Sequence, residues 1–262
     1  VIVAPAGIGK SWALQCIGAN GLKKGKTIVH YSLELNENYV GLRYDTIFSG
    51  ITTSNIKYYV DDVKKKLEKL SGKLMIKYYP TKSASVQTLS SHLKQLELQE
   101  IKPDIVLVDY ADILMGVGKE KRFVLESIYE DLRALAGEMN LPIWTASQAN
   151  RSSLEEEVID ATKVSESYSK IMIADFVMSM SRKVEDKVSK TARFHIIKNR
   201  FGVDGITFPS KMDTALGKID IYKSTSKQGV HQQKKMDNSE EFLRKTLANK
   251  LKTHQKEVDG FE

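Results

Sequence analysis

Cysteine is nearly absent: Cys16 is the single one in 262 residues. That excludes an internal disulfide framework and a cysteine-rich zinc site, and it fits a reducing compartment. No run of about 18 or more apolar residues occurs, so no segment reads as a membrane-spanning helix. No internal repeat recurs along the chain. Acidic residues fall short of basic ones, 33 Asp and Glu against 40 Lys and Arg, leaving a net charge of +7. Such a balance permits binding to a phosphate backbone without requiring it.

What is present suits one large domain, or one domain with an appendage, and 41% hydrophobic residues can fill its core. The chain opens on Val1 inside a strand-like run, as expected of a fragment whose amino-terminal part is missing.

Strand-like and helix-like segments alternate. Val1–Ala4 reads as a strand and Ser11–Leu22 as a helix, then Lys26–Leu35 as a strand. Asn36–Phe48 and Ser54–Leu70 read as helices, "KLMIKYY" as a strand and Val86–Gln99 as a helix. "PDIVLVDYADIL" is the near-continuous apolar run of a buried parallel strand. Val124, Leu125, Ile128, Leu132, Leu135 and Met139 recur at helical spacing, and "LPIWTASQANR" is the next buried strand with its exit loop. Ile171–Ser181, Ala192–Lys198, Ile206–Pro209 and Lys218–Tyr222 close the series as strands. This order predicts βαβ units: an α/β fold with a mostly parallel twisted sheet flanked by helices. The last strands lack intervening helices and are expected as antiparallel edge strands. Residues 150–170 and 224–241 are polar and read as mobile. Beyond the second, Phe242, Leu243, Leu247 and Leu251 predict an amphipathic helix capped by Asn238 or Ser239. It either docks on a partner or packs on its own domain.

The chemistry begins at Ala4-Pro5-Ala6-Gly7-Ile8-Gly9-Lys10-Ser11. A phosphate-binding loop needs glycines so that successive N–H groups can turn inward at a helix N-terminus. Lys10 would reach the β- and γ-phosphates of ATP, and the Ser11 hydroxyl would ligate Mg²⁺. The backbone from Ala6 through Gly7, Ile8, Gly9, Lys10, Ser11 and Trp12 would cradle the nucleotide. Only Ala4 departs from the glycine pattern, at the loop's entrance, where a positive φ is not required.

"DIVLVDYADIL" ends a strand on Asp109, an acid suited to hold Mg²⁺ through water on the strand beside the loop. Asp112 reads as a structural acid. No glutamate follows Asp109, so the group that activates water must come from elsewhere. Glu34, at the end of "HYSLEL", is the candidate. Gln148 ends another buried strand, where an uncharged amide can sense the γ-phosphate. Lys198 and Arg200 stand two apart at the end of a late strand and so point to one side. Two cations there suit a phosphate supplied by a neighbouring subunit. The plainer alternative for each of these residues is a solvated strand end.

In this order the pieces resemble the RecA-like C-terminal motor domain of hexameric replicative DNA helicases of the DnaB type, especially phage versions. The resemblance runs over roughly residues 1–220. "APAGIGKS" looks like the family's phosphate loop, "YSLEL" its "SLEM" element with the catalytic glutamate, and "LVDYADIL" its "IDYLQLM". "ASQANR" looks like "SQLNR" with the γ-phosphate sensor, and "KNRFG" like "KQRNG" with the trans-acting lysine and arginine. Ala111-Asp112 departs from the family's Leu-Gln.

The resemblance implies a RecA-like P-loop NTPase over residues 1–223; residues 224–262, the polar linker and helix read above, match no part of the family pattern. It implies a homo-hexamer that hydrolyses ATP between subunits and translocates on single-stranded DNA, with primase and a helicase loader as further partners. The setting would be the cytoplasm of a bacterium or a phage-infected host, with no membrane contact. Lys119, Lys121, Arg122 and Arg151 are the candidates for gripping the DNA backbone, in loops without interleaved aromatics for base stacking. A strand-exchange ATPase of the same fold, or a ring-forming ATPase that is not a motor, remain as alternatives.

Overall fold

The computed structural model describes residues 1–118, 120–161 and 168–224. Within them a single nine-stranded sheet organises the chain. Its strands are β1 (Ile2–Ala4), β2 (Thr27–Ser32), β3 (Lys73–Tyr78), β4 (Ile105–Asp109) and β5 (Ile143–Gln148). They continue as β6 (Phe176–Ser181), β7 (Thr191–Asn199), β8 (Thr207–Asp213) and β9 (Lys218–Ile221). The order across the sheet is β3-β2-β4-β5-β1-β6-β7-β8-β9. Pairing is parallel from β3 to β6 and antiparallel from β6 to β9. The expected architecture is the one observed.

The central strands are apolar on both faces because helices cover both. Val29, Tyr31, Val106 and Val108 pack beneath α4 (Val86–Leu98) and α5 (Lys121–Glu138). Helix α5 turns Leu125, Ile128, Tyr129, Leu132 and Leu135 to that core, the spacing of one helical face. Ile28 and Leu107 point the other way, against α1 (Lys10–Lys23) and α2 (Glu37–Ser49). Helix α2 starts where the Asn36 side chain accepts the Tyr39 N–H at 3.1 Å, and ends at Gly50 with φ 70°, an N-cap and a left-handed C-terminal glycine.

Several expectations need correction. Ser54–Leu70 is two pieces, a 3-10 turn Ile56–Tyr58 and α3 (Val60–Leu67), broken where Tyr59 leaves helical geometry. The aromatic and β-branched run Tyr58-Tyr59-Val60 weakens helix propensity there. Ile171–Ile173 belongs to helix α6 (Tyr168–Ile173), and its strand starts only at Phe176. A short apolar run does not by its pattern separate strand from helix. In place of a long polar loop, residues 151–155 form a 3-10 turn. Residues 162–167 lie outside the described residues, as do 225–262 with the expected C-terminal helix. A short helix, α7 (Val184–Ser189), has no counterpart among the expected elements. Its signal is one local carboxylate: Asp186 accepts the Lys183 N–H at 2.8 Å and the Arg193 guanidinium at 2.7 Å.

Leu107 is fully buried at the centre of the sheet. Leu107→Ala is expected to destabilise the fold by about 2–5 kcal/mol, read as a lower denaturant midpoint with an unchanged slope.

Candidate functional site

In a parallel sheet, loops at the carboxyl ends of the strands face one edge, and ligands bind there. Here β1, β2, β4 and β5 send the phosphate loop, Glu34, Asp109 and Gln148 to that one edge. The expectation that β4 neighbours β1 is wrong: β5 lies between them. The acid still meets the loop because α1 begins above the strand ends. The Ser11 hydroxyl donates to Asp109 Oδ1 at 3.2 Å.

The loop bends as phosphate binding requires. Gly7 has φ 71° and Gly9 φ 113°, backbone that L-residues rarely adopt. A Cβ on Gly9 would also collide with the Met212 side chain. Ala4 needs no such freedom. It is the last residue of β1, fully buried, and takes its place in the ladder opposite Gln148. Ala6 and Gly7 are exposed, while the Ile8 side chain is buried in the core and leaves only its backbone for the loop. Trp12 likewise turns its ring away: the Arg43 guanidinium lies 4.9 Å above it, and Gly217 abuts its far side.

The Lys10 ammonium donates to the carbonyls of Ala4 at 3.0 Å and Pro5 at 2.9 Å. Burial lowers its pKa, opposed by the charges of Glu34, Asp109 and Asp112. Glu34 is exposed two residues past β2; burial first, and then the nearby Glu34 charge, raise the pKa of the Tyr110 hydroxyl. It lies within electrostatic reach of Lys10, Asp109 and Arg43. Arg43, on α2, escaped the sequence reading. Its charge offsets both acids, yet nothing in its local pattern separates it from any exposed helical arginine. Gln148 is exposed, and its N–H donates to Asp112 Oδ2 at 3.2 Å.

Lys198 and Arg200 lie elsewhere. Strand β7 is antiparallel, so its end sits beside Phe176, at the opposite edge of the sheet from Gln148. There the Lys198 ammonium donates to the carbonyls of Ile171 at 2.9 Å and Met172 at 2.6 Å. Arg200 pairs with Asp175 at 2.7 Å, and Arg133 reaches the same carboxylate at 3.3 Å. Three cations thus surround one acid.

Of the candidate DNA contacts, Lys121 and Arg122 are exposed on the first turn of α5 rather than in a loop. Phe123 beside them is exposed too, an aromatic where none was expected. Lys119 and the Arg151 side chain lie outside what is described.

The chain is similar to known proteins in sequence and in fold. Residues 1–211 match the model of the DnaB-like helicase C-terminal domain. The chain belongs to this family. It is 29% identical over 216 residues to a DnaB-like replicative helicase of Enterobacteria phage T4, covering 77% of this chain and 46% of that protein. It is 24% identical over 160 residues to the replicative DNA helicase DnaB of Helicobacter pylori, covering 58% of this chain and 33% of that one. The chain therefore spans half or less of the length of these relatives. Its fold matches a solved structure described as an ATPase domain (TM-score 0.70, 18% identity, 83% of this chain and 82% of that one). It also matches a DnaB-like replicative helicase studied for its interactions with primase (TM-score 0.71, 18% identity, 83% and 56%). The sheet is thus the RecA-like one of helicase ATPase domains. Among the described residues no helix is long and apolar enough to cross a membrane.

A magnesium nucleotide fits this donor set. Ser11 and Asp109 supply a hydroxyl and a carboxylate, and no cluster of three or more acidic, histidine or cysteine ligands occurs among the described residues. Mg²⁺ characteristically takes one or two protein oxygens, with phosphates and waters completing its shell. Burial pushes the Asp109 carboxyl up to about 6, against the pull of the Ser11 hydrogen bond. The folded protein then holds this proton more tightly than the unfolded chain, so metal-free stability falls as pH rises from about 4 to about 6. A divalent cation needs the carboxylate. Its affinity, measured by Mg²⁺ titration with a non-hydrolysable ATP analogue, should weaken about ten-fold per pH unit below about 6. Asp109→Asn should abolish that dependence; a flat profile in the native protein would contradict the assignment. Ala4→Gly should leave nucleotide affinity unchanged and cost about 0.5–1 kcal/mol of stability.

Proposed function

We propose that this chain is the motor of a replicative DNA helicase, a homo-hexameric ring that hydrolyses ATP at its subunit interfaces and moves along single-stranded DNA. What supports the reading is placement: the candidate residues lie in two groups at opposite edges of the sheet. One edge offers a phosphate loop, Ser11 and Asp109 for Mg²⁺, Glu34 and Gln148. The other offers Lys198 and Arg200, with Arg133, around the single carboxylate of Asp175. Neither half suffices for phosphoryl transfer, and a ring joins them.

In that ring Lys10 and the loop N–H groups would bind the phosphates, and Ser11 and Asp109 would hold a Mg²⁺ ion, whose charge would offset theirs. The Glu34 carboxylate takes a proton from the attacking water, and the Gln148 amide hydrogen-bonds the γ-phosphate. Lys198 and Arg200 of the adjacent protomer, released from Ile171, Met172 and Asp175, stabilise the charge that develops in the transition state. Lys121 and Arg122, with Lys119 and Arg151, grip the DNA backbone, a contact that salt weakens. Primase and a loader are the further partners, and the setting is the cytoplasm of a bacterium or an infected host. A strand-exchange ATPase would form filaments and would not unwind a fork.

Glu34→Gln should retain ATP binding and lose at least about 100-fold in turnover; retained turnover sinks its role as base. Arg200→Ala rings should be inactive, as should Lys10→Ala rings. Mixed rings of the two should recover activity, because some interfaces then pair an intact loop with an intact arginine. Absence of recovery in demonstrably mixed rings argues against action in trans. Unwinding of a forked duplex, absent without ATP, separates the motor from the alternatives.

A further inference from the structure

The two half-sites are not independent, because one short helix touches both. Asp112 follows β4, in a turn at the nucleotide edge. Its Oδ2 accepts the Ser147 hydroxyl at 3.0 Å and the Gln148 N–H at 3.2 Å. Its Oδ1 accepts the Tyr129 hydroxyl and the Lys170 ammonium, each at 2.8 Å. Lys170 also donates to the Ser147 hydroxyl at 3.1 Å and lies 5.2 Å from the centre of the Tyr129 ring. The ion pair is deeply buried, its side chains 4% and 14% exposed. Lys170 is on α6. The next two residues of that helix, Ile171 and Met172, present the carbonyls that hold the Lys198 ammonium. Two residues beyond its end, Asp175 holds Arg200 through its carboxylate at 2.7 Å and through its carbonyl, which accepts the Arg200 N–H at 2.9 Å.

We propose that Lys170, paired with Asp112, is a positioning residue for the trans-acting Lys198 and Arg200. The pair pins α6 to the strand end that carries Gln148, and the far end of the same helix sets the two cations. A buried ion pair is a poor device for stability, since desolvation offsets its attraction. It is a good device for register, because its geometry is specific and the cost of breaking it is high. The inference rests on the trans reading of Lys198 and Arg200 given above.

The test uses rings of the full chain carrying Asp112→Asn with Lys170→Met, which removes both charges of the pair together. Affinity for a fluorescent ATP analogue should stay within about two-fold while kcat falls at least about ten-fold, the signature of misplaced transition-state groups. Mixing these subunits with Lys10→Ala subunits should restore turnover, because the intact loop then receives an intact lysine and arginine from its neighbour. A merely structural role lowers the folded fraction in both preparations and gives no such recovery. If the double variant fails to fold, Ser147→Ala removes one donor to the same carboxylate and buries no charge. A loss of kcat of about two- to three-fold, recovered in the same mixed rings, is then expected. Unchanged kcat in the folded variant, or a loss that mixing does not recover, overturns the inference. Full turnover in Arg200→Ala rings overturns the functional reading itself, and the inference with it.

Discussion

The parallel register between β1 and β5 is the constraint on which the rest depends. Ala4 stands opposite Gln148, and the Ala4 carbonyl accepts the Ala149 N–H at 3.0 Å while also receiving the Lys10 ammonium. The phosphate loop thus leaves the sheet beside the end of β5, with Lys10 folded back onto its own entrance. A residue's shift in that ladder would turn every side chain on β1 to the wrong face. Ala4 shows why the entrance tolerates alanine: what matters at this position is burial and pairing in a strand, and glycine would loosen both.

From that register the electrostatics follow. Asp109 is buried next to Ser11, Glu34 is exposed nearby, and Lys10 and Arg43 offset the two acids. The opposite edge carries an excess of positive charge, with Arg133 and Arg200 paired to Asp175 and Lys198 close by. An antiparallel β7 separates the charges in this way: the same residues at the end of a parallel strand would face their own nucleotide. On the proposed reading, topology thereby makes this pair of basic residues available to a neighbour.

Much of this was legible in the sequence, for physical reasons. Buried parallel strands such as Ile105–Asp109 are unbroken apolar runs, and each residue of the nucleotide edge lies at the carboxyl end of one, so chemistry and fold share a signal. Gly7 and Gly9 show themselves because the loop's backbone admits little else. The failures have reasons too. The strand order, with β5 between β1 and β4, is a matter of long-range pairing that local pattern does not encode. Helix α6 hides in an apolar run that also reads as strand, and its end is held by Lys198, a residue 26 positions beyond Met172. Arg43 and the Asp112–Lys170 pair acquire meaning only from neighbours distant in sequence.

On the proposed reading, a complete catalytic site exists only between two copies of this chain. The most direct measurement follows ATP turnover per chain against protein concentration, with the mass of the assembly recorded at the same points. Turnover should be negligible in the monomer and rise with ring formation along one curve. Full turnover in monomers, independent of concentration, would contradict the account.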